Sequence, residues 1–146
     1  MLKAIALASG LVALASPVFA HAAGGEAWGP GPPGLPPGSQ ATVVSGDPTK
    51  PGPFVIKAKM PAGYRIPPHW HPTDENVTLL SGDLTLGMGD KLDPAKGEKL
   101  AAGGAIVAKA KMHHFAMTKD GAVVQIAAEG PFEITYIDPA DDPRRK

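Results

Sequence analysis

The 146-residue chain has no cysteine. That excludes disulfides, thiolate metal ligands, a cysteine nucleophile and a lipid-anchoring cysteine. The fold must stand on packing alone. Nor is there an excess of charge, with 14 basic and 14 acidic residues. The sequence holds no basic patch of the kind nucleic acid demands. It has no basic amphipathic helix suited to a membrane surface. No apolar run is long enough to span a bilayer. No repeat of solenoid length is visible, and no stretch holds a convincing helical period.

What is present starts with an export signal. Met1-Leu-Lys3 precedes an apolar run from Ala4 to Ala15, and Val18-Phe19-Ala20 places small residues at the minus-three and minus-one positions. Residues 1–20 are expected to be a secretory signal peptide, with cleavage after Ala20; Ala22 and Ala23 are alternative sites. The expected address is periplasmic or secreted, with no membrane association after cleavage. His21 would then lie at the new amino terminus, where it reads as incidental.

The mature chain is long enough for one domain with one core. Between Gly29 and Gly38 every residue but Leu35 is Pro or Gly. Such a segment holds neither a helix nor a central strand. Residues 21–40 therefore read as an extended arm or linker, either a spacer or an arm packing on a partner subunit. Residues 41–138 read as the folded body, and 139–146 as a solvated tail.

The body reads as all-β. Phe54, Ile56, Ala58 and Met60 alternate with lysines at 57 and 59, the pattern of a half-buried strand. Strands are expected at 41–44, 77–80, 84–88, 105–109, 122–128 and 132–138, separated by Gly and Pro turns. Gly82-Asp83 reads as a two-residue hairpin turn between two of them. Residues 90–97 read as a loop with at most one helical turn.

The chemistry concentrates in histidine. Two of five histidines, His69 and His71, are spaced to point to one face of a strand. Pro67-Pro68 before them should start that strand at an edge or loop. Pro72-Thr73-Asp74 reads as a turn that returns Glu75 at the head of the next strand. His113 and His114 supply one further nitrogen. Three imidazoles and a carboxylate suit iron, manganese, nickel, copper or zinc rather than calcium or magnesium.

The stretch Gly63 to Gly82 resembles the first motif of the cupin superfamily. That motif runs Gly, five residues, His-x-His, three or four residues, Glu, six residues, Gly. Gly63, His69, His71, Glu75 and Gly82 match every position. The second motif runs Gly, five residues, Pro-x-Gly, two residues, His, three residues, Asn. Aligned from Gly103, Lys109 stands for Pro, Lys111 for Gly, His114 for the ligand histidine and Thr118 for Asn. The resemblance spans about residues 54–137. It implies a single-domain, double-stranded β-helix (jelly-roll) barrel whose lumen holds one divalent transition metal on His69, His71, Glu75 and His114. It also implies a small-molecule ligand or substrate, and its habits include a homodimer.

Several neighbours have two readings. Trp70 lies between the two histidines and should point away from them. Phe115 and Met117 read better as packing than as pocket lining. Gln125 is either a buried amide beside the site or an outward-facing residue. Tyr64 and Arg65 precede the ligand strand; Arg65 could meet an anion at the barrel mouth. His113 is either an acid–base group or the outward neighbour of His114, and the second is favoured. The resemblance spans enzymes and non-catalytic binders. The functional expectation is a metal-dependent enzyme on a small organic molecule, with a metal-binding or sensing module as the alternative.

Overall fold

The computed structural model describes residues 26–146. The expected signal peptide and His21 lie outside the described residues.

The strands are β1 (Gly29–Pro30), β2 (Gln40–Ser45), β3 (Gly52–Met60), β4 (Arg65–Trp70), β5 (Glu75–Gly82), β6 (Leu84–Met88), β7 (Gly97–Leu100), β8 (Ala105–Ala108), β9 (His114–Met117), β10 (Ala122–Gly130) and β11 (Thr135–Tyr136). Among the described residues there are also three short 3₁₀ turns, at Pro94–Lys96, Pro139–Asp141 and Pro143–Arg145. The strands form a six-stranded sheet, β1-β2-β3-β10-β5-β8, and a five-stranded sheet, β11-β4-β9-β6-β7. The fold is all-β, as expected.

Alternation places the core. Phe54, Ile56, Ala58 and Met60 of β3 are buried, as are Val77 and Leu79 of β5 and Val124 and Ile126 of β10. Leu84 and Leu86 of β6 and Ala116 of β9 meet them from the other sheet. One apolar interior thus lies between the sheets, and strand ends carry the polar groups into it.

Five features differ from expectation, each for a physical reason. First, β5 and β6 are not a hairpin; they lie in different sheets. The Asp83 carboxylate accepts from Thr118 Oγ1 at 3.1 Å and from the amides of Lys119 and Asp120 at 2.8 Å each. Those bonds fix the corner where the chain crosses over. Second, β4 is not an edge strand and does not begin after the prolines. It runs between β11 and β9 and absorbs Pro67-Pro68 in a register shift between Ile66 and His69. A bulge needs no ladder donors from those residues. Third, only Thr135–Tyr136 of the expected last strand pairs, with Trp70 and His69. Fourth, β7 was not foreseen, because Glu98 and Lys99 leave it no apolar alternation. Fifth, the two ends of the described chain pack on the body. β1 pairs with β2. In the tail, Asp142 is buried and accepts from Arg144 Nε at 2.8 Å, while Arg144 also donates to Ile134 O at 2.9 Å.

Candidate metal centre

Three strands deliver the histidines and the carboxylate to one point. His69 lies near the end of β4, opposite His114 of β9 on one side and Tyr136 of β11 on the other. His71 follows one residue after β4 ends, so its ring shares the face of His69 while Trp70 points away. Glu75 opens β5 and His114 opens β9. His69, His71, Glu75 and His114 are 2, 5, 7 and 1% exposed.

The turn that presents His114 is bolted to the turn between His71 and Glu75. The Lys111 amide donates to His71 O at 2.8 Å. The Asp74 carboxylate accepts from Ala110 N and from Lys109 Nζ, each at 2.8 Å. Both lysine departures from the second motif therefore sit in one hydrogen-bonded turn.

The rings of His69 and His114 are 4.2 Å apart, those of His69 and His71 5.0 Å, and those of His71 and His114 5.3 Å. Each Nδ1 meets a backbone carbonyl: Pro67 O at 2.7 Å, Glu133 O at 2.6 Å and Met112 O at 3.0 Å for His69, His71 and His114. A carbonyl only accepts, so each Nδ1 carries the proton. Each Nε2 is left with its lone pair. The potential ligand atoms of the three residues lie within 4.8 Å of one another. Glu75 Oε2 lies 3.5 Å from His71 Nε2 and 3.6 Å from His114 Nε2. These are longer than hydrogen bonds. His114 Nε2 is buried and has no hydrogen-bond partner among the described residues.

The electrostatics point the same way. Burial holds the His69 imidazole down to about 3, and charge on His114 or His71 would push it further in that direction. Burial opposes ionisation of Glu75, but the His114 imidazole beside it, and the attraction of any proton that His71, His114 or His69 took up, outweigh that and lower its carboxyl below the usual range. With neutral imidazoles, three lone pairs and a carboxylate face one another with no donor between them. A buried acceptor cluster of that kind is unfavourable unless a cation fills it. The donor set fits a divalent transition metal, and the three carbonyls orient the rings as outer partners of metal ligands do. His69, His71 and His114 can hold a metal ion.

Beside the cluster lies a cavity of about 40 Å³. Its lining is apolar apart from the three histidines and Glu75, with Ile66, Leu86, Ile126 and Phe132 among the walls. Arg65 is exposed and does not reach it. Gln125 sits across from Lys57 and Thr78, on the outward face of β10 between inward Val124 and Ile126. His113 is half-buried, with Nδ1 2.5 Å from Asp90 Oδ1, and turns away from the cluster. Phe115 is fully buried against Gly87, and Met117 lies outside the cavity.

Two contributors to the site were not singled out from the sequence. Leu35, the single apolar side chain of the Pro/Gly arm, lines the cavity. Tyr136 packs its ring 5.9 Å from that of His69 and donates its hydroxyl to Gly34 O at 2.7 Å. The alternation of Phe132, Ile134 and Tyr136 signalled an inward Tyr136, but nothing local signalled where its hydroxyl goes.

No family model matches the chain, and no curated protein does. Solved structures do match in shape. The polyketide cyclase RemF from Streptomyces resistomycificus superposes with a TM-score of 0.62 at 17% identity, over 76% of this chain and 78% of that one. The DMSP lyase DddQ from Ruegeria pomeroyi DSS-3 gives 0.56 at 19% identity, over 68% of this chain; the match spans 51% of the lyase. A conserved protein with a double-stranded β-helix domain from Klebsiella pneumoniae subsp. pneumoniae MGH 78578 gives 0.50 at 23% identity, over 65% and 75% of the two chains. The order of the two sheets, the crossing corner at Gly82-Asp83 and these likenesses agree, and the chain has the double-stranded β-helix fold.

Proposed function

We propose that this chain is an exported metal-binding cupin that holds one divalent transition metal on His69, His71, Glu75 and His114 and acts on a small organic molecule. One observation carries the reading. Three imidazoles in one buried cluster each give their Nδ1 proton to a backbone carbonyl, leaving three Nε2 lone pairs and the Glu75 carboxylate to face one point. A bound metal would supply Lewis-acid polarisation of a ligand atom, or oxygen chemistry, at a position the protein leaves open. The chain's own residues set the rest. The carbonyls hold the rings in register, Glu75 supplies negative charge, and the apolar walls keep bulk water from the bound molecule.

A second reading has its own support. Among the described residues, the cavity lining includes no titratable side chain beyond the four proposed ligands. No protein acid or base therefore stands beside the substrate position, which favours a module that binds metal or a small ligand without turnover.

The decisive measurement is elemental analysis of the purified mature protein after incubation with manganese, iron, nickel, copper and zinc in turn. One equivalent of a single metal per chain is expected; no retention of any of them overturns the reading. Oxygen uptake with small diols, phenols and keto acids then separates enzyme from binder. The export proposal rests on residues 1–20, and amino-terminal sequencing of the secreted or periplasmic product should begin at His21, Ala23 or Gly24. The homodimer is read out by the sedimentation of that same product.

A further inference from the structure

The Pro/Gly arm does more than connect. At its tip, Gly34-Leu35-Pro36, the Leu35 side chain lines the same cavity as His69, His71 and His114. The carbonyls on either side of Leu35 are each held by a tyrosine from the body. Tyr136 donates to Gly34 O at 2.7 Å, and Tyr64 donates to Pro36 O. A carbonyl oxygen only accepts, so both hydroxyls are the donors. These two residues bracket the ligand strand. Tyr64 immediately precedes β4, and Tyr136 pairs with His69.

The tip is held by sterics as well. Gly34 has φ +93°, and a Cβ there would come within 2.6 Å of Ile134 Cγ2. The arm closes on itself through Leu35 N to Pro32 O at 3.2 Å and Gly31 N to Ser39 O at 3.0 Å. A segment of prolines has few amides to offer, so its position depends on carbonyls that outside donors can reach. The tyrosines supply those donors.

With the tip in place the cavity is about 40 Å³. Building on the metal reading above, we propose that Leu35 is the specificity-determining wall of the ligand site. Fixed by the Tyr64 and Tyr136 hydroxyls, it confines the site to compact ligands and turns away bulky ones.

The test compares the unaltered chain with Leu35→Ala and Leu35→Trp. In metal-free protein, benzene is the probe. It should raise the melting temperature of Leu35→Ala and shift the imidazole NMR signals of His69, His71 and His114, and do neither in the unaltered chain. In cobalt-loaded protein, imidazole and 4-phenylimidazole are compared by the cobalt absorption bands. Leu35→Ala should tighten 4-phenylimidazole at least tenfold and leave imidazole within about threefold, while Leu35→Trp should weaken imidazole. Tyr136→Phe keeps the ring and removes only the hydroxyl. It should speed hydrogen exchange at the Leu35 amide and move the 4-phenylimidazole affinity in the direction of Leu35→Ala. Equal benzene response and unchanged probe selectivity in all variants would overturn the proposal. Failure of the unaltered chain to bind cobalt overturns the metal reading instead, and the benzene arm still decides the role of Leu35.

Discussion

The two ligand-bearing stretches, 63–82 and 103–118, make an instructive pair. The first matches its motif at every specified position; the second keeps only Gly103 and His114. Yet both deliver buried imidazoles to one cluster. The difference lies in what each position is asked to do. Gly82 has φ +85°, and a Cβ there would sit 2.0 Å from Gly121 O, a backbone atom that cannot step aside. Lys111, where the motif has glycine, also has a positive φ, at 62°. Its demand is conformational alone, and a side chain can meet it at a cost of about 1–2 kcal/mol. Lys109, where the motif has proline, loses the ring's rigidity. The Asp74 contacts to Lys109 and Ala110 restore it by hydrogen bonding. Motif positions enforced by contact cannot vary, whereas those enforced by local conformation can be replaced.

The largest test of this contrast is removal of ligands from either stretch. His71→Ala and His114→Ala should each abolish stoichiometric metal, although one belongs to the complete motif and one to the degenerate one. His113→Ala should leave metal content unchanged, since that ring faces Asp90. Metal loss from His113→Ala with none from His114→Ala would reverse the register of the second stretch.

Next come the glycines. Gly82→Ala combines an unfavourable φ with a backbone clash and should cost about 3 kcal/mol or more. Gly103 has nearly the same φ, +86°, but open space where a Cβ would point. Gly103→Ala should cost only about 1–2 kcal/mol. Urea midpoints of the two variants measure the difference, and equal losses would show that contact is not what separates the positions.

Acid reads both stretches at once. Folding holds the His69 imidazole at about 3, against an ordinary value of 6.5. Between those values the unfolded chain carries more protons than the folded one, so stability falls as pH falls. The slope for one such group is about 1.4 kcal/mol per pH unit, or about 2 kcal/mol between pH 6.5 and 5. Urea titration of the metal-free protein at those two pH values checks it. A His69→Gln variant should lose that share of the dependence; an identical slope in both proteins would refute the assignment. Metal affinity should weaken over the same range, because each ligand nitrogen must be unprotonated.

Asp74→Ala probes the bolt between the stretches. It frees the Ala110 amide and Lys109 without touching a proposed ligand. Metal affinity should drop about tenfold, the lower end for an outer partner, with stoichiometry at saturation unchanged. Competition against a chromophoric chelator measures it, and unchanged affinity would mean that the second stretch holds its own turn.

Much of this was readable from residue spacing, and the exceptions share one cause. Period two assigned the inward face of β3, and the two-residue interval put His69 and His71 on one side; which face of β10 turns inward, and so where Gln125 points, was left open. The hairpin expected at Gly82-Asp83 is absent because a tight turn says that the chain reverses, not which sheet receives it. That depends on Asp83 reaching amides more than thirty residues away. Pro67-Pro68 looked like a strand start because the tolerance for prolines came from a bulge against β9. The arm looked like a spacer because its holding donors, Tyr64 and Tyr136, lie far along the chain. Local patterns set the strands; distant hydrogen bonds set the corners and the cap.

The smallest effect is the sharpest test of replaceability. Lys111→Gly removes a side chain from left-handed backbone, a gain of about 1–2 kcal/mol. Against that, glycine gives the unfolded chain more freedom, at about 0.5–1 kcal/mol. The net expectation is a stabilisation of about 1 kcal/mol or less, with metal content unchanged. Lys111→Val places a β-branched residue at the same φ and should destabilise, because left-handed backbone is least tolerant of that shape. The Lys111 amide keeps its bond to His71 O in both variants, so the imidazole of His114 should stay in place. If Lys111→Gly instead weakened metal binding, the lysine would have a role in the site beyond occupying a turn, and conformation alone would no longer explain why the second stretch can depart from its motif.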